Sequence, residues 1–280
     1  MKYITLTILI IIISAFSLQA QNKSCCDETS APKTMAGFSN DENFRNAHPT
    51  PLKFTIINEL GKMVTYNTPD GKTANGYEIR QSTLSNKWLF VFHEWYGLND
   101  YIKKESDELF STLGNVNILA IDLYDGKVAS NNDEASKYVQ SVDVSRALNI
   151  IKGAMEYCGA EATFGTIGWC FGGSWSNQAS IILEDRCKAS VIFYGMPESD
   201  MERLKKISAP VLGIFAGQDK WITPEVAEKF KDNMKSLNKS IEIKIYDAVH
   251  GFANPSNPKH DPEATKDSKE LALNFLKKNL

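Results

Sequence analysis

The sequence predicts an α/β domain: a mostly parallel, twisted sheet of about eight strands, with helices on both faces and no large cap domain. Three observations carry this. Short apolar runs alternate with amphipathic helical stretches over the C-terminal two-thirds of the chain. The runs Trp88–His93 and Val116–Leu123 are almost wholly apolar, as a strand covered on both faces requires. The 280 residues, 42% hydrophobic and 23% charged, suit one sizeable domain and exclude collagen-like, coiled-coil and wholly disordered chains.

The organisation begins with a leader. Lys2 is the only charge before residue 23, and Ile4–Phe16 is apolar apart from Thr5, Thr7 and Ser14. A charged start, a short apolar stretch and a small residue at its end fit a secretory signal peptide over residues 1–20, cleaved after Ala20. The stretch is short for a membrane span. An exported, periplasmic or secreted chain without stable membrane insertion is therefore expected. Residues 21–50 are polar and lack apolar periodicity, so they read as a flexible tether carrying Cys25, Cys26 and His48. The folded domain is expected over residues 51–280.

Within it, Phe54–Ile57, Met63–Tyr66 and Gly76–Arg80 read as opening strands separated by Asn, Gly and Asp turns. After Trp88–His93, a helix is expected over Tyr101–Leu113, with Ile102, Leu109, Phe110 and Leu113 on one face and Gly114 stopping it. Val116–Leu123 is the next buried strand. A long helix follows over Glu134–Cys158. Strands at Thr163–Gly168, Ala189–Tyr194, Val211–Ala216 and Ile241–Tyr246 then alternate with helices at Ser174–Leu183, Pro224–Ser236 and Glu263–Asn279. Ligands of such sheets sit beyond the carboxyl ends of the strands, so those ends are where chemistry is sought.

Four strand ends carry it. The run Gly168-Trp169-Cys170-Phe171-Gly172-Gly173 matches a nucleophile elbow with cysteine as the nucleophile. Its glycines permit the sharp turn, and the helix N-terminus behind it favours a thiolate. The Phe171 N–H is positioned to hold an oxyanion. Gly217-Gln218-Asp219 and Asp247-Ala248-Val249-His250-Gly251-Phe252 follow two later strands. The order Cys170, Asp219, His250 is nucleophile, acid, base. Asp247 is the closest rival acid, but it lies too near His250 along the chain to reach around it. His93-Glu94-Trp95 follows an earlier strand. It supplies the Trp95 N–H as second oxyanion donor and puts the Glu94 carboxylate in the same crevice, as a partner for the resting thiol.

These motifs, with Asp122-Leu123-Tyr124, resemble the dienelactone hydrolase family, over about residues 52–280. The resemblance implies a cap-less α/β hydrolase, often monomeric, that opens esters or lactones through a cysteine acyl-enzyme. It implies catalytic roles for Cys170, Asp219 and His250, and a thiol-holding role for Glu94. Family members specialised for dienelactone carry two arginines that clamp the substrate carboxylate. Here those positions are Gly126 and Asn254, so dienelactone itself is not the expected natural substrate. Tyr124, Lys127 and Asn254 are the candidate substrate contacts, with Trp175 a further candidate pocket wall.

The small charge imbalance, −3 overall, gives no reason to expect a nucleic-acid partner. No cofactor and no metal are expected, since no His/Cys/carboxylate set occurs at ligand spacing. Cys158 and Cys187 precede adjacent strands, and their spacing leaves a disulfide open. A non-catalytic binding protein on a hydrolase scaffold is the alternative reading. A thiol-redox protein ranks below it, because no C-x-x-C is present.

Overall fold

The computed structural model describes residues 30–280. The leader and the Cys25–Cys26 pair lie outside the described residues. Eight strands form one sheet in the order β1-β2-β4-β3-β5-β6-β7-β8. Their ranges are β1 Lys62–Asn67, β2 Thr73–Ile79, β3 Lys87–Phe92, β4 Asn117–Ile121, β5 Thr163–Trp169, β6 Cys187–Phe193, β7 Val211–Ala216 and β8 Ile241–Tyr246. β2 runs antiparallel to both β1 and β4, and every other neighbour is parallel. The parallel strands β3 and β4 are buried almost throughout, which explains their unbroken apolar sequence. β8, at the edge, alternates half-buried isoleucines with exposed charges.

Helices cover both faces. α3 (Asp100–Leu113) packs on α9 (Pro262–Asn279), while α5 (Val144–Cys158) packs on α6 (Phe171–Leu183). Two consecutive residues of β5 show that these pairs lie on opposite faces. A Cβ on Gly165 would meet Leu276 and Leu280 at the C-terminal end, whereas Thr166 Oγ1 donates to the Ser176 carbonyl in α6. Because β3 and β5 to β8 run parallel, the segments after them emerge at one edge of the sheet. That edge collects Glu94, Cys170, Asp219 and His250.

Three expectations need correction. Phe54–Ile57 is irregular chain, not a strand. It leans on the start of α3: Ile56 N–H donates to Asp100 Oδ2 (3.2 Å), and the Phe54 ring packs on Tyr101 at 4.9 Å. The expected long helix is two, α4 (Asn132–Ser141) and α5. Val142 turns extended, and the Asp143 carboxylate accepts from Arg146 N–H at 2.7 Å, so a helix start interrupts the inward-facing periodicity.

The third correction is the largest. The part of the presumed tether that is described, residues 30–50, is folded. α1 (Ser30–Gly37), a single 3-10 turn and α2 (Glu42–Asn46) form a short helical cover. Asp41 caps α2, its carboxylate accepting from Asn43 N–H at 2.8 Å. Met35 and Phe44 are fully buried. Side chains of α4 hold the cover in place. Ser136 Oγ donates to the Ser39 carbonyl at 3.1 Å, and Asn132 Nδ2 to the Arg45 carbonyl at 2.8 Å. Among the described residues, no helix is long and apolar enough to cross a membrane.

Candidate active site

Cys170 sits between β5 and α6 with φ 54° and ψ −117°. A cysteine adopts positive φ only under local strain, of about 1–3 kcal/mol, held here by the surrounding backbone. The Cys170 N–H donates to the Phe193 carbonyl at 2.9 Å. Two glycines make the turn possible by close approach. A Cβ on Gly168 would lie 2.1 Å from the Gly172 carbonyl oxygen, and one on Gly172 would lie 2.2 Å from that of Phe92. The turn lifts the sulfur over the sheet edge at the N-terminus of a thirteen-residue helix.

His250 Nε2 is 3.2 Å from the Cys170 sulfur, and His250 Nδ1–H donates to Asp219 Oδ2 at 2.5 Å. The other Asp219 oxygen accepts the N–H groups of Trp221 (2.9 Å) and Ile222 (3.0 Å), which fixes the carboxylate. Asp247 is exposed and receives Gln218 Nε2 at 2.8 Å, so it takes no part in this chain. Burial works against charge on Asp219, but His250 and the two N–H groups outweigh it and hold the carboxyl below its usual range. Burial likewise opposes charge on His250, yet Asp219 and the Cys170 sulfur raise its pKa well above normal. Burial raises the Cys170 thiol, opposed by His250 and by the Phe171 N–H. The thiol and the imidazole thus face each other within hydrogen-bond reach, and their titrations are coupled.

Glu94 and Trp95 follow β3. Burial raises the Glu94 carboxyl to about 7, against partial relief from Tyr194, His250 and Asn254. Its oxygens accept from Tyr194 OH (3.2 Å) and Asn254 Nδ2 (2.5 Å). The sulfur's hydrogen-bond partners are imidazoles. Glu94 acts on it through space, as a nearby charge that raises the thiol pKa, the direction expected of a group that holds the resting thiol protonated. Trp95 and Cys170 both border a cavity of about 10 Å³, and the Trp95 carbonyl accepts from Tyr124 OH at 3.1 Å.

A second imidazole faces the same sulfur. His48 Nε2 is 3.4 Å from Cys170 Sγ, and its Nδ1 is 2.7 Å from the Phe44 carbonyl. A carbonyl only accepts, so Nδ1 carries the proton and Nε2 presents a lone pair to the thiol. Burial, then the nearby charge on His250, pushes His48 down to about 3, which keeps it neutral. Phe44 seals the group, its ring 5.6 Å from that of His250 and 5.1 Å from Trp221. Asp41 accepts Trp221 Nε1–H at 2.9 Å, and Tyr96 OH donates to the His48 carbonyl at 2.9 Å. Cys170 is left 1% exposed. The sequence reading missed this residue by placing His48 in a tether. The available signals were local: Asp41 before Glu42 as a helix cap, Phe44 as an apolar anchor, and His48-Pro49 as a stop.

The expected substrate contacts are redistributed. Tyr124 is buried against His93 and Phe171 and braces Trp95 instead of facing a pocket. Lys127 is exposed over the Tyr138 ring at 5.6 Å. Asn254 does line the cavity, but its amide is engaged by Glu94 and by Ser256. Trp175 is core, fully buried under Phe171. Cys158, Cys170 and Cys187 are all free thiols, and burial pushes Cys187 up to about 12. A larger cavity of about 180 Å³ lies between α3 and α9. Glu94, Tyr96, Asn254 and Ser256 border both cavities and so separate them.

The family model for the dienelactone hydrolase family matches residues 76–280. "Protein usf" of Aquifex pyrophilus is 27% identical over 237 residues, covering 79% of this chain and all of the relative. A putative carboxymethylenebutenolidase of Aquifex aeolicus is 26% identical, covering 78% and 98% respectively. Two solved structures share the fold. One is a putative dienelactone hydrolase from Klebsiella pneumoniae, at TM-score 0.64 and 19% identity over 76% of this chain and 98% of that one. The other is a dienelactone hydrolase-like promiscuous phosphotriesterase from metagenomic libraries, at TM-score 0.68 and 19% identity over 79% and 99%. The chain belongs to the dienelactone hydrolase family and is a carboxylic ester or lactone hydrolase.

Proposed function

We propose that the chain hydrolyses small, uncharged esters or lactones through a thioester on Cys170. The observation that carries this is the unbroken chain from sulfur to His250 to Asp219, at 3.2 and 2.5 Å. The thiolate attacks the carbonyl carbon, and the Phe171 and Trp95 N–H groups take the charge that develops on the carbonyl oxygen. The carbon–oxygen bond of the ester breaks, and His250 gives the leaving alkoxide its proton. In a lactone that alkoxide stays tethered to the acyl group. His250 then takes a proton from water as it attacks the thioester, and Cys170 is released. Asp219 holds the imidazole in the orientation and tautomer this needs.

The preference for uncharged substrates rests on the family resemblance, in which the places of two arginines that clamp a substrate carboxylate are held here by Gly126 and Asn254. Neither supplies a charge to hold a carboxylate. We also place the mature enzyme outside the cytoplasm, on the pattern of residues 1–20 alone.

The test is p-nitrophenyl acetate hydrolysis by the wild type, Cys170→Ala and Cys158→Ala. The wild type and Cys158→Ala are expected to turn over alike, and Cys170→Ala to lose roughly a thousandfold or more. Undiminished hydrolysis in Cys170→Ala would overturn the reading, and so would an inert wild type.

A further inference from the structure

The fold gathers three metal-ligating atoms that the sequence keeps far apart. Cys170 Sγ, His48 Nε2 and His250 Nε2 all lie within 4.8 Å of one another. The expectation of no such set is corrected here: ligand spacing along the chain is absent, but ligand spacing in space is present. We infer that this trio is a binding site for a thiophilic divalent cation of the zinc class.

A tetrahedral zinc with bonds of about 2.3 Å to sulfur and 2.05 Å to nitrogen places sulfur and nitrogen roughly 3.6 Å apart. The two sulfur–nitrogen distances here are 3.2 and 3.4 Å. Two ring nitrogens on the same ion lie roughly 3.3 Å apart. Reaching that separation takes a shift of His48 on the order of 1 Å or more. His48 lies just beyond the C-terminal end of the short helix α2, so binding requires this end of the cover to shift by that amount.

The rings are also oriented as metal ligands would be. Zinc-ligating histidines characteristically give their other N–H to a carboxylate or a carbonyl. His250 gives Nδ1–H to Asp219, and His48 gives Nδ1–H to the Phe44 carbonyl. Both rings therefore present Nε2 to the sulfur, and neither needs a new partner to accept a cation. A thiolate with two imidazoles is a donor set suited to zinc over magnesium or calcium. The adjacent cavity of about 10 Å³ is close to what one water needs, which gives the fourth ligand a place.

Binding forms one sulfur–metal and two nitrogen–metal bonds, and the Cys170 thiol proton leaves for solvent. The site rests on this geometry. Its consequence, a reversibly locked nucleophile, additionally rests on the hydrolase reading.

The experiment is a cobalt titration of the full chain carrying Cys25→Ser and Cys26→Ser, under reducing conditions and without substrate. One equivalent of Co²⁺ is expected to produce a near-ultraviolet thiolate-to-metal band that Zn²⁺ displaces. The band is expected to vanish in Cys170→Ser. In His48→Gln, a variant checked for native circular dichroism, affinity is expected to fall by roughly tenfold or more. No band, a band that survives Cys170→Ser, or unchanged affinity in His48→Gln would overturn the site. Should His48→Gln not fold, Cys170→Ser alone still decides, because it removes one ligand with little change of volume. A separate assay reads the consequence: Zn²⁺ is expected to suppress p-nitrophenyl acetate turnover and a chelator to restore it. A cobalt band without any metal-free turnover would uphold the site and overturn the hydrolase reading.

Discussion

At the scale of single residues, the site depends on groups held where they are costly. Cys170 adopts positive φ, and Gly172 touches the Phe92 carbonyl so closely that no side chain fits. Gly172→Ala is therefore expected to cost several kcal/mol or to prevent folding, read as lost soluble yield or a lowered melting temperature. Wild-type stability would contradict the close approach. Glu94 makes a pH prediction. Its folded-state pKa is about 7, above the ordinary 4.5. The folded chain then binds more protons than the unfolded chain between those values. The stability from protonated Glu94 is present below about pH 4.5 and is lost as pH rises through 7. Glu94→Gln is expected to flatten that decline, on the order of 1–3 kcal/mol, in denaturant melts at pH 5 and pH 8. An unchanged slope would remove Glu94 as its source. That Cys170, Asp219 and His250 share one sheet edge was legible in the sequence, because each follows a recognisable strand. The partners of Glu94 were not, because Tyr194 and Asn254 reach it only through the folded sheet edge.

At the scale of elements, the cover formed by residues 30–50 governs access to the sulfur. Phe44 is its anchor, packed on His48, Trp95, Trp221 and His250. Phe44→Ala removes a fully buried ring, a change that costs about 3–5 kcal/mol in a core. Because Phe44 is the part of the cover that packs on His48 and His250, while Met35 and the contacts to α4 hold the rest, the loss is expected to appear as local opening over the sulfur. Alkylation of Cys170 by iodoacetamide should quicken at least tenfold while the domain stays folded. A rate equal to wild type would show that the cover does not gate the thiol. The cover was illegible because its two helices have eight and five residues, too few for periodicity to register, in a polar setting. The split between α4 and α5 was missed for the opposite reason. The apolar face continues across the break, and only the Asp143 cap marks it. Pro224–Ser236 was legible to the residue, because Pro at its start and a strong apolar face both mark it.

At the scale of the whole molecule, the sheet is the rigid part and the site lies where the rigid part meets the cover. β3, β5 and β6 are central, parallel and almost wholly buried. Hydrogen exchange is expected to be slowest there and fastest in residues 30–50, with β1 at the open edge intermediate. Equal protection of cover and core would contradict a separately opening cover. The parallel sheet and all eight of its strands were legible, because buried strands announce themselves as apolar runs, although Phe54–Ile57 was read as a ninth. Strand order was not, since it is decided by crossovers and not by local pattern. That same non-local step brings His48 to Cys170 across more than a hundred residues, and no spacing rule along the chain reaches so far.

The central claim is that Cys170 carries the acyl group. The most direct measurement is rapid acid quenching during p-nitrophenyl acetate turnover, followed by peptide mass spectrometry. An acetyl group on the peptide bearing Cys170, absent after turnover is complete, is the predicted result. Steady turnover with the acetyl group on another residue, or on none, would contradict it.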